Sequence, residues 1–362
     1  MGIIKSYFND FLTNIKLPDE LREELKNAHK ELRDNLKTDD ITSTILVDSF
    51  LQGSYARATC IKPQKGDKVD VDVIAVTNIN HNLVSAEDAF QKILPFVEKY
   101  YEDFRPQKRS VGISLDNVDV DLVITAAPSE EVMREITSAR LNEGFTIDNI
   151  LEVGSINYRN DSLSCFFNSD ESEKMWRKEP LLIPDSEENN WFRTHPLEQI
   201  RWTKEKNRLC NGNYVNVVKA LKWWKTKAMP DAKHPKSYPL EHFIGDCCPN
   251  GIESVAEGIV KTLEKMLCYP SKPILNDRGV PEHDVFESLS TEDYNKFYNT
   301  IKKYAVIARR AYDCEESNIE ECVCLWREFF GNCPEFPPFR GPSGGFTPRT
   351  QKTETLPSGR FG

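Results

Sequence analysis

Leu21, Leu25, His29, Leu32 and Leu36 recur at spacings of three and four, which places them on one stripe of a helix. The pattern predicts a long amphipathic helix over 18–38, opened by Pro18 and Asp19, both suited to a first turn. The period then drops to two. A strand is expected over 44–49, and another from Val69, where Val69, Val71 and Val73 alternate with Asp70 and Asp72 before Ile74-Ala75-Val76. The same alternation returns at Val118, Asp119, Val120, Asp121 and Leu122, giving a strand over 118–125 beside one near 108–115. Residues 85–104 read as a helix interrupted at Pro95. Beyond residue 195 the helical period returns, with helices expected over 196–209, 213–229, 238–246, 252–268, 290–313 and 316–330. Strands first and helices afterwards predict a mixed α+β chain in two lobes, 1–195 and 196–333, with the functional site in the cleft between them. The polar stretch 128–190 reads as an insertion of short elements and loops. Residues 334–362, rich in Pro, Gly, Ser and Thr, predict a disordered tail.

Composition narrows the function. The 362 residues are 39% hydrophobic and 29% charged, as in a globular protein, and no apolar run approaches the length needed to cross a bilayer. The first residues lack the pattern of a signal peptide, so a cytoplasmic location and no membrane partner are expected. A net charge of −10 argues against a grip on long nucleic acid and leaves small nucleotides held by a local basic cluster. The ten cysteines read as reduced thiols in that compartment. His242, Cys247 and Cys248 look like a fragment of a zinc site, but Cys268 is twenty residues further on and the Cys322-x-Cys324 spacing is wrong for a zinc knuckle. Buried thiols are the expected reading.

The chemistry concentrates in the two alternating strands. Asp70 and Asp72, at i and i+2, project from one face while the valines face the core. Two carboxylates so close repel each other unless a cation lies between them, and a divalent ion is the simplest one. A pair of such ions needs a further ligand. Asp121 is the candidate, because it lies deepest in its apolar run; Asp119, nearer the turn, reads as a solvated strand-end charge. Gly53 and Ser54 form a turn whose backbone N–H groups can cradle an anion. On the helix over 213–229, Val217, Val218, Leu221 and Trp224 form a buried stripe, with Lys219, Lys222 and Lys225 off it.

The order of these motifs, Gly-Ser, Asp-x-Asp and then a third Asp on a later strand, resembles the nucleotidyltransferase superfamily that includes DNA polymerase beta. The phrases LQGSYARAT, VDVDVIAVTN, VDLVITA, PLEQIRWTKEKNRLCNGNYVNVVKALKWWK and YPLEHFIG resemble more closely the cGAS-like bacterial CD-NTases, in particular their clade D, from about residue 8 to the last glycine. The resemblance implies a two-lobed, polymerase-beta-like core: a small mixed sheet, a long N-terminal helix running as a spine behind both lobes, and a C-terminal helical lobe. It implies Mg²⁺-dependent synthesis of a cyclic oligonucleotide from NTPs, an adenine-containing cyclic trinucleotide made from ATP with GTP, in antiphage defence. Two Mg²⁺ ions, with Mn²⁺ as a substitute, would be held by Asp70, Asp72 and Asp121. Gln52, Gly53, Ser54 and Lys219 would serve the donor triphosphate, Ser237 a phosphate and Tyr238 a stacked base, with Arg57 and Lys68 as further phosphate candidates. It also implies ubiquitin-like conjugation enzymes acting on Gly362, which follows Arg360 and Phe361. The alternatives are a nucleotidyltransferase acting on RNA or protein, and a non-catalytic conjugated scaffold.

Overall fold

A computed structural model describes residues 3–127 and 179–341. Two helices, α1 (Ile3–Asn14) and α2 (Asp19–Thr38), lead through the single turn α3 (Thr42–Ile45) into strand β1 (Leu46–Gln52). The turn α4 (Gly53–Ala56) and strand β2 (Val69–Asn80) follow, then helix α5 (Ala86–Tyr100) and strands β3 (Phe104–Pro106), β4 (Val111–Ser114) and β5 (Val118–Ala127). After the undescribed stretch come β6 (Leu181–Asp185) and β7 (Asn190–Thr194). The helices α6 (Pro196–Leu209), α7 (Tyr214–Ala228), α8 (Ser237–Cys247), α9 (Val255–Met266), α10 (Thr291–Asp313) and α11 (Ile319–Phe329) complete the described chain. Among the described residues no helix is long and apolar enough to cross a membrane.

The seven described strands form one mixed sheet in the order β1-β2-β5-β4-β3, with β6 pairing β5 and β7 pairing β6. Only β2 and β5 run parallel, as the helical crossover α5 between β2 and the β3–β5 meander allows. One face carries Val69, Val71, Val73 and Ala75 from β2 and Val118, Val120, Leu122 and Ile124 from β5. It packs on the leucine stripe of α2 and on Ala89, Phe90, Ile93, Phe96 and Val97 of α5. Pro95 stays within α5 without ending it. The helical lobe has its own core, built around Trp223, Trp224, Phe243, Phe286, Tyr294, Phe297 and Trp326.

Two expectations are corrected. The helix expected over 18–38 is found as α2, but it does not run as a spine behind both lobes. Pro18 begins α2 afresh, α2 packs under the sheet, and the aromatic face of α1 (Tyr7, Phe8, Phe11) packs instead on Trp326, Phe330 and Phe336 of the helical lobe. The lobe expected over 1–195 therefore does not hold α1. Secondly, the first residues assigned to the tail are packed in place. Phe336 is fully buried against Phe8 and Phe11, a contribution of about 2–3 kcal/mol, and Glu335 pairs with Lys62 at 2.8 Å. The remainder of the tail, with Gly362, lies outside the described residues, as does most of the stretch 128–190. The end of that stretch holds one of the short elements expected there. Leu181, Leu182 and Ile183 form β6, which the interrupting Pro184 and the acidic flank obscured in the sequence.

Candidate active site

The four aspartates share one face of β2 and β5, and the parallel register sets Asp70 beside Asp119 and Asp72 beside Asp121. Farther along, the same face turns apolar: Ile74, Val76 and Val123 pack with Phe50 and Leu181. The carboxylates thus crowd the open end of a face whose other end is sealed. Asp121 takes a hydrogen bond from the Gln107 amide at 2.9 Å, and Gln107 fits there because Gly112, opposite Asp121, has no side chain. Asp119 accepts from Ser114 at 2.7 Å and lies 3.8 Å from Lys68, which also donates to Leu115 O. Asp119 and Lys68 thus tie down the β4–β5 turn, and Lys68 is engaged there rather than directed at a phosphate.

Gln52 and Gly53 meet this face from β1. Gln52 pairs with Asp72 in the sheet and hydrogen-bonds its carboxylate. Gly53 has φ +76°, and a Cβ there would fall 1.9 Å from Asp72 Oδ2. Glycine is required twice over, for the backbone conformation and for the approach of the carboxylate. Gly53→Ala is expected to cost about 1–3 kcal/mol of stability and, by displacing Asp72, about 10²-fold in product formation. Denaturant unfolding and a product assay check both effects.

Burial raises the pKa of Asp72 to about 6, with the charges of Asp121 and Asp70 adding to the shift and Arg57 opposing it. Burial, then Asp121 and Asp119, raises Asp70; burial, then Asp119, raises Asp121. An acidic oxygen donor set that crowds against its own charge fits a hard divalent cation. Among the described residues no three His, Cys, Asp or Glu side chains are grouped so as to hold a metal ion by themselves. The carboxylates lie side by side, an arrangement suited to a cation whose remaining ligands come from a phosphate. The sign of the pH effect follows. Between pH 4 and 6 folded Asp72 keeps a proton that the unfolded chain, with its value near 3.8, has released. Without metal, stability should therefore fall as pH rises through that window, by up to about 3 kcal/mol. Melting curves from pH 4 to 7 in chelator should show the fall, and Asp72→Asn should flatten it.

The helical lobe reaches the same region through α7 and α8. Lys219 is half-buried, and burial lowers its pKa to about 8; it lies near Cys60, whose thiol bonds Ser54. Lys219 and the Gly-Ser turn are thereby brought together. Ser237 is exposed and Tyr238 half-buried in the first turn of α8. Arg57 is directed elsewhere than expected. It is buried, and its Nε donates to Glu241 Oε2 at 3.1 Å. Lys222, which lies off the predicted buried stripe, is also buried and pairs with Glu241 Oε1 at 2.9 Å, while Thr59 Oγ1 donates to Oε2 at 2.9 Å. This cluster ties the loop after Gly53 to α8. Sequence reading missed Glu241; its signal was a lone acid within the apolar run Leu240-Glu241-His242-Phe243-Ile244. Cys247 and Cys248 are buried in the helical core and Cys268 is exposed.

The mixed sheet with its carboxylate face, closed by a helical lobe, defines a nucleotidyltransferase of polymerase-beta-like fold. The same fold is found in the CD-NTase CdnG of Bradyrhizobium diazoefficiens, in complex with GTP (TM-score 0.65, 11% identity, 92% of this chain and 96% of that one). It is also found in the cyclic AMP-GMP synthase DncV of Vibrio cholerae, solved with a linear intermediate (TM-score 0.59, 15% identity, 91% and 95%). Residues 2–142 match the Second Messenger Oligonucleotide or Dinucleotide Synthetase domain. Over 99% of both chains the sequence is 41% identical to a probable cyclic AMP-AMP-GMP nucleotide synthase of Salmonella paratyphi B. It is 40% identical, with the same coverage, to a cyclic AMP-AMP-GMP synthase of Enterobacter hormaechei subsp. hoffmannii. The chain belongs to the cGAS-like CD-NTase family and is a cyclic oligonucleotide synthase.

Proposed function

We propose that this synthase is Mg²⁺-dependent and joins two adenylates and one guanylate, drawn from ATP and GTP, into a cyclic trinucleotide. The observation that carries the product is end-to-end identity of about 40% with two synthases named for cyclic AMP-AMP-GMP. The register of Asp72 beside Asp121, against the gap at Gly53, supports the site. Gln52, Gly53 and Ser54 hold the donor triphosphate, and Lys219 adds a positive charge to it, favouring departure of pyrophosphate. Asp70, Asp72 and Asp121 are the residues that would hold Mg²⁺, which when bound neutralises the triphosphate and acidifies the attacking ribose hydroxyl. Asp121 stands ready to take that hydroxyl's proton as its oxygen forms the bond to the α-phosphate. Ser237 meets a phosphate and Tyr238 stacks a base. Repetition and ring closure release the product, a messenger for antiphage defence as the family resemblance implies.

The test is mass spectrometry of the phosphatase-resistant product from all four NTPs with Mg²⁺. A single species with the mass of cyclic AMP-AMP-GMP is expected. A linear polymer, or a product of different base content, overturns the assignment.

A further inference from the structure

Tyr238 is held at three places. Its hydroxyl donates to Asp277 Oδ2 at 2.5 Å, the Arg57 guanidinium carbon lies 5.1 Å from its ring centroid, and the His242 ring meets it edge-on at 6.0 Å and 83°. Each of the two polar partners is fixed in turn. Asp277, in the loop between α9 and α10, is only 8% exposed. Its Oδ1 accepts from the backbone N–H of Gly279 (2.8 Å) and Val280 (3.1 Å), and its Oδ2 also accepts from the Gln199 amide of α6 (3.2 Å). Arg57 is pinned by Glu241, one turn along α8 from Tyr238 itself.

This arrangement is more than packing requires. A tyrosine that only filled space could be phenylalanine, and burying a carboxylate is costly unless its lone pairs are satisfied. Burial and then the charge of Asp277 raise the phenol's pKa well above its usual 10, so the hydroxyl stays a donor throughout the physiological range. With the hydroxyl anchored at one end and Arg57 on the ring, χ1 and χ2 of Tyr238 are both restrained. The ring is half-buried at the start of α8, and Arg57 beside it also feels the charge of Asp72. A side chain held in its binding conformation loses less freedom when a ligand stacks on it, and affinity rises accordingly.

We propose that Asp277 is a positioning residue for nucleotide binding: it anchors the Tyr238 hydroxyl and, with Arg57 on the ring, presets Tyr238 as the platform on which a nucleobase stacks. The inference rests on Tyr238 as the base-stacking residue and deepens that reading. Its consequence is that Asp277 acts on nucleotide affinity and leaves the bond-making step alone.

The test is steady-state kinetics of the full chain with ATP and GTP in Mg²⁺, on Asp277→Asn, Tyr238→Phe, the two combined, and Tyr238→Ala. Asparagine retains an Oδ1 for the Gly279 and Val280 N–H groups, and phenylalanine retains the ring, so both folds should survive. Should Asp277→Asn fail to fold, Tyr238→Phe carries the test alone, because it leaves the Asp277 turn untouched. Tyr238→Phe should raise KM about three- to tenfold with kcat within about twofold of the parent, and Asp277→Asn, whose amide can still donate to the hydroxyl oxygen, should raise it less. The double variant should match Tyr238→Phe alone, since phenylalanine leaves nothing at that position for side chain 277 to bond. Tyr238→Ala should raise KM further, by about 10- to 100-fold. An unchanged KM in Tyr238→Phe, beside a raised one in Tyr238→Ala, overturns the anchoring role and keeps the platform. Additive effects in the double variant, or a fall confined to kcat, also overturn it. An unchanged KM in Tyr238→Ala overturns the stacking assignment itself.

Discussion

Replacing Asp70 and Asp72 together with asparagine should reduce product formation by about 10³-fold or more while making the metal-free protein more stable. The two effects have one cause. Burial and neighbouring carboxylates raise the pKa of both groups, so at neutral pH each charged form is held against its preference. Asparagine keeps the shape and an acceptor for Gln52, removes the repulsion, and with it removes the charge that a divalent cation would neutralise. The gain should be about 1–3 kcal/mol at pH 7 in chelator. Product analysis and calorimetry of the same preparations check both halves. Full activity in the double variant would end the assignment of these residues as metal ligands. A lower melting temperature would contradict the electrostatic account.

The second large effect concerns stability. Glu241→Ala should cost about 3–5 kcal/mol, because it strands two buried cations, Arg57 and Lys222, and leaves Thr59 without its acceptor. Burial alone would raise the pKa of Glu241, yet Lys222 and Arg57 together bring it below its usual 4.5. The carboxylate's contribution is therefore present above that value and is lost as pH falls beneath it. Glu241→Gln should cost less, since an amide retains one acceptor. Urea unfolding at pH 7 decides the point, and a loss below 1 kcal/mol in the alanine variant would mean that the cluster does not brace the lobes. Because Arg57 and Thr59 follow the Gly-Ser turn directly, the alanine variant should also lose activity where it remains folded.

The carboxylate face was legible in the sequence because a strand has a strict period. Once Val69, Val71 and Val73 are assigned to the core, Asp70 and Asp72 can only point the other way. Gly53 was legible as a turn, but its reason for being glycine, the approach of Asp72, is a contact between β2 and the end of β1 that no local pattern encodes. The partners of the site were hidden for the same reason. Gln107 reaches Asp121 across fourteen residues, and Arg57 reaches Glu241 across 184. The start of α2 at Pro18 was signalled, yet α1 and its destination were not. Its aromatic face fits either lobe, and only the rings of Trp326, Phe330 and Phe336 decide between them. Lys222 shows the limit of reading charge as exposure: it sits in an apolar run, Leu221-Lys222-Trp223-Trp224, and is buried because a counter-ion waits on the next helix.

The pairing of β2 with β5 has a last consequence. Neighbouring backbones in a ladder stand about 4.8 Å apart, so the interval between Asp72 and Asp121 is set by main-chain geometry and is insensitive to side-chain changes elsewhere. Tyr238, Ser237 and Lys219 belong to the opposite half of the molecule. On the reading proposed above, substitutions around them would change how nucleotides are held without resetting that interval, much as a lathe accepts new jaws without moving its spindle.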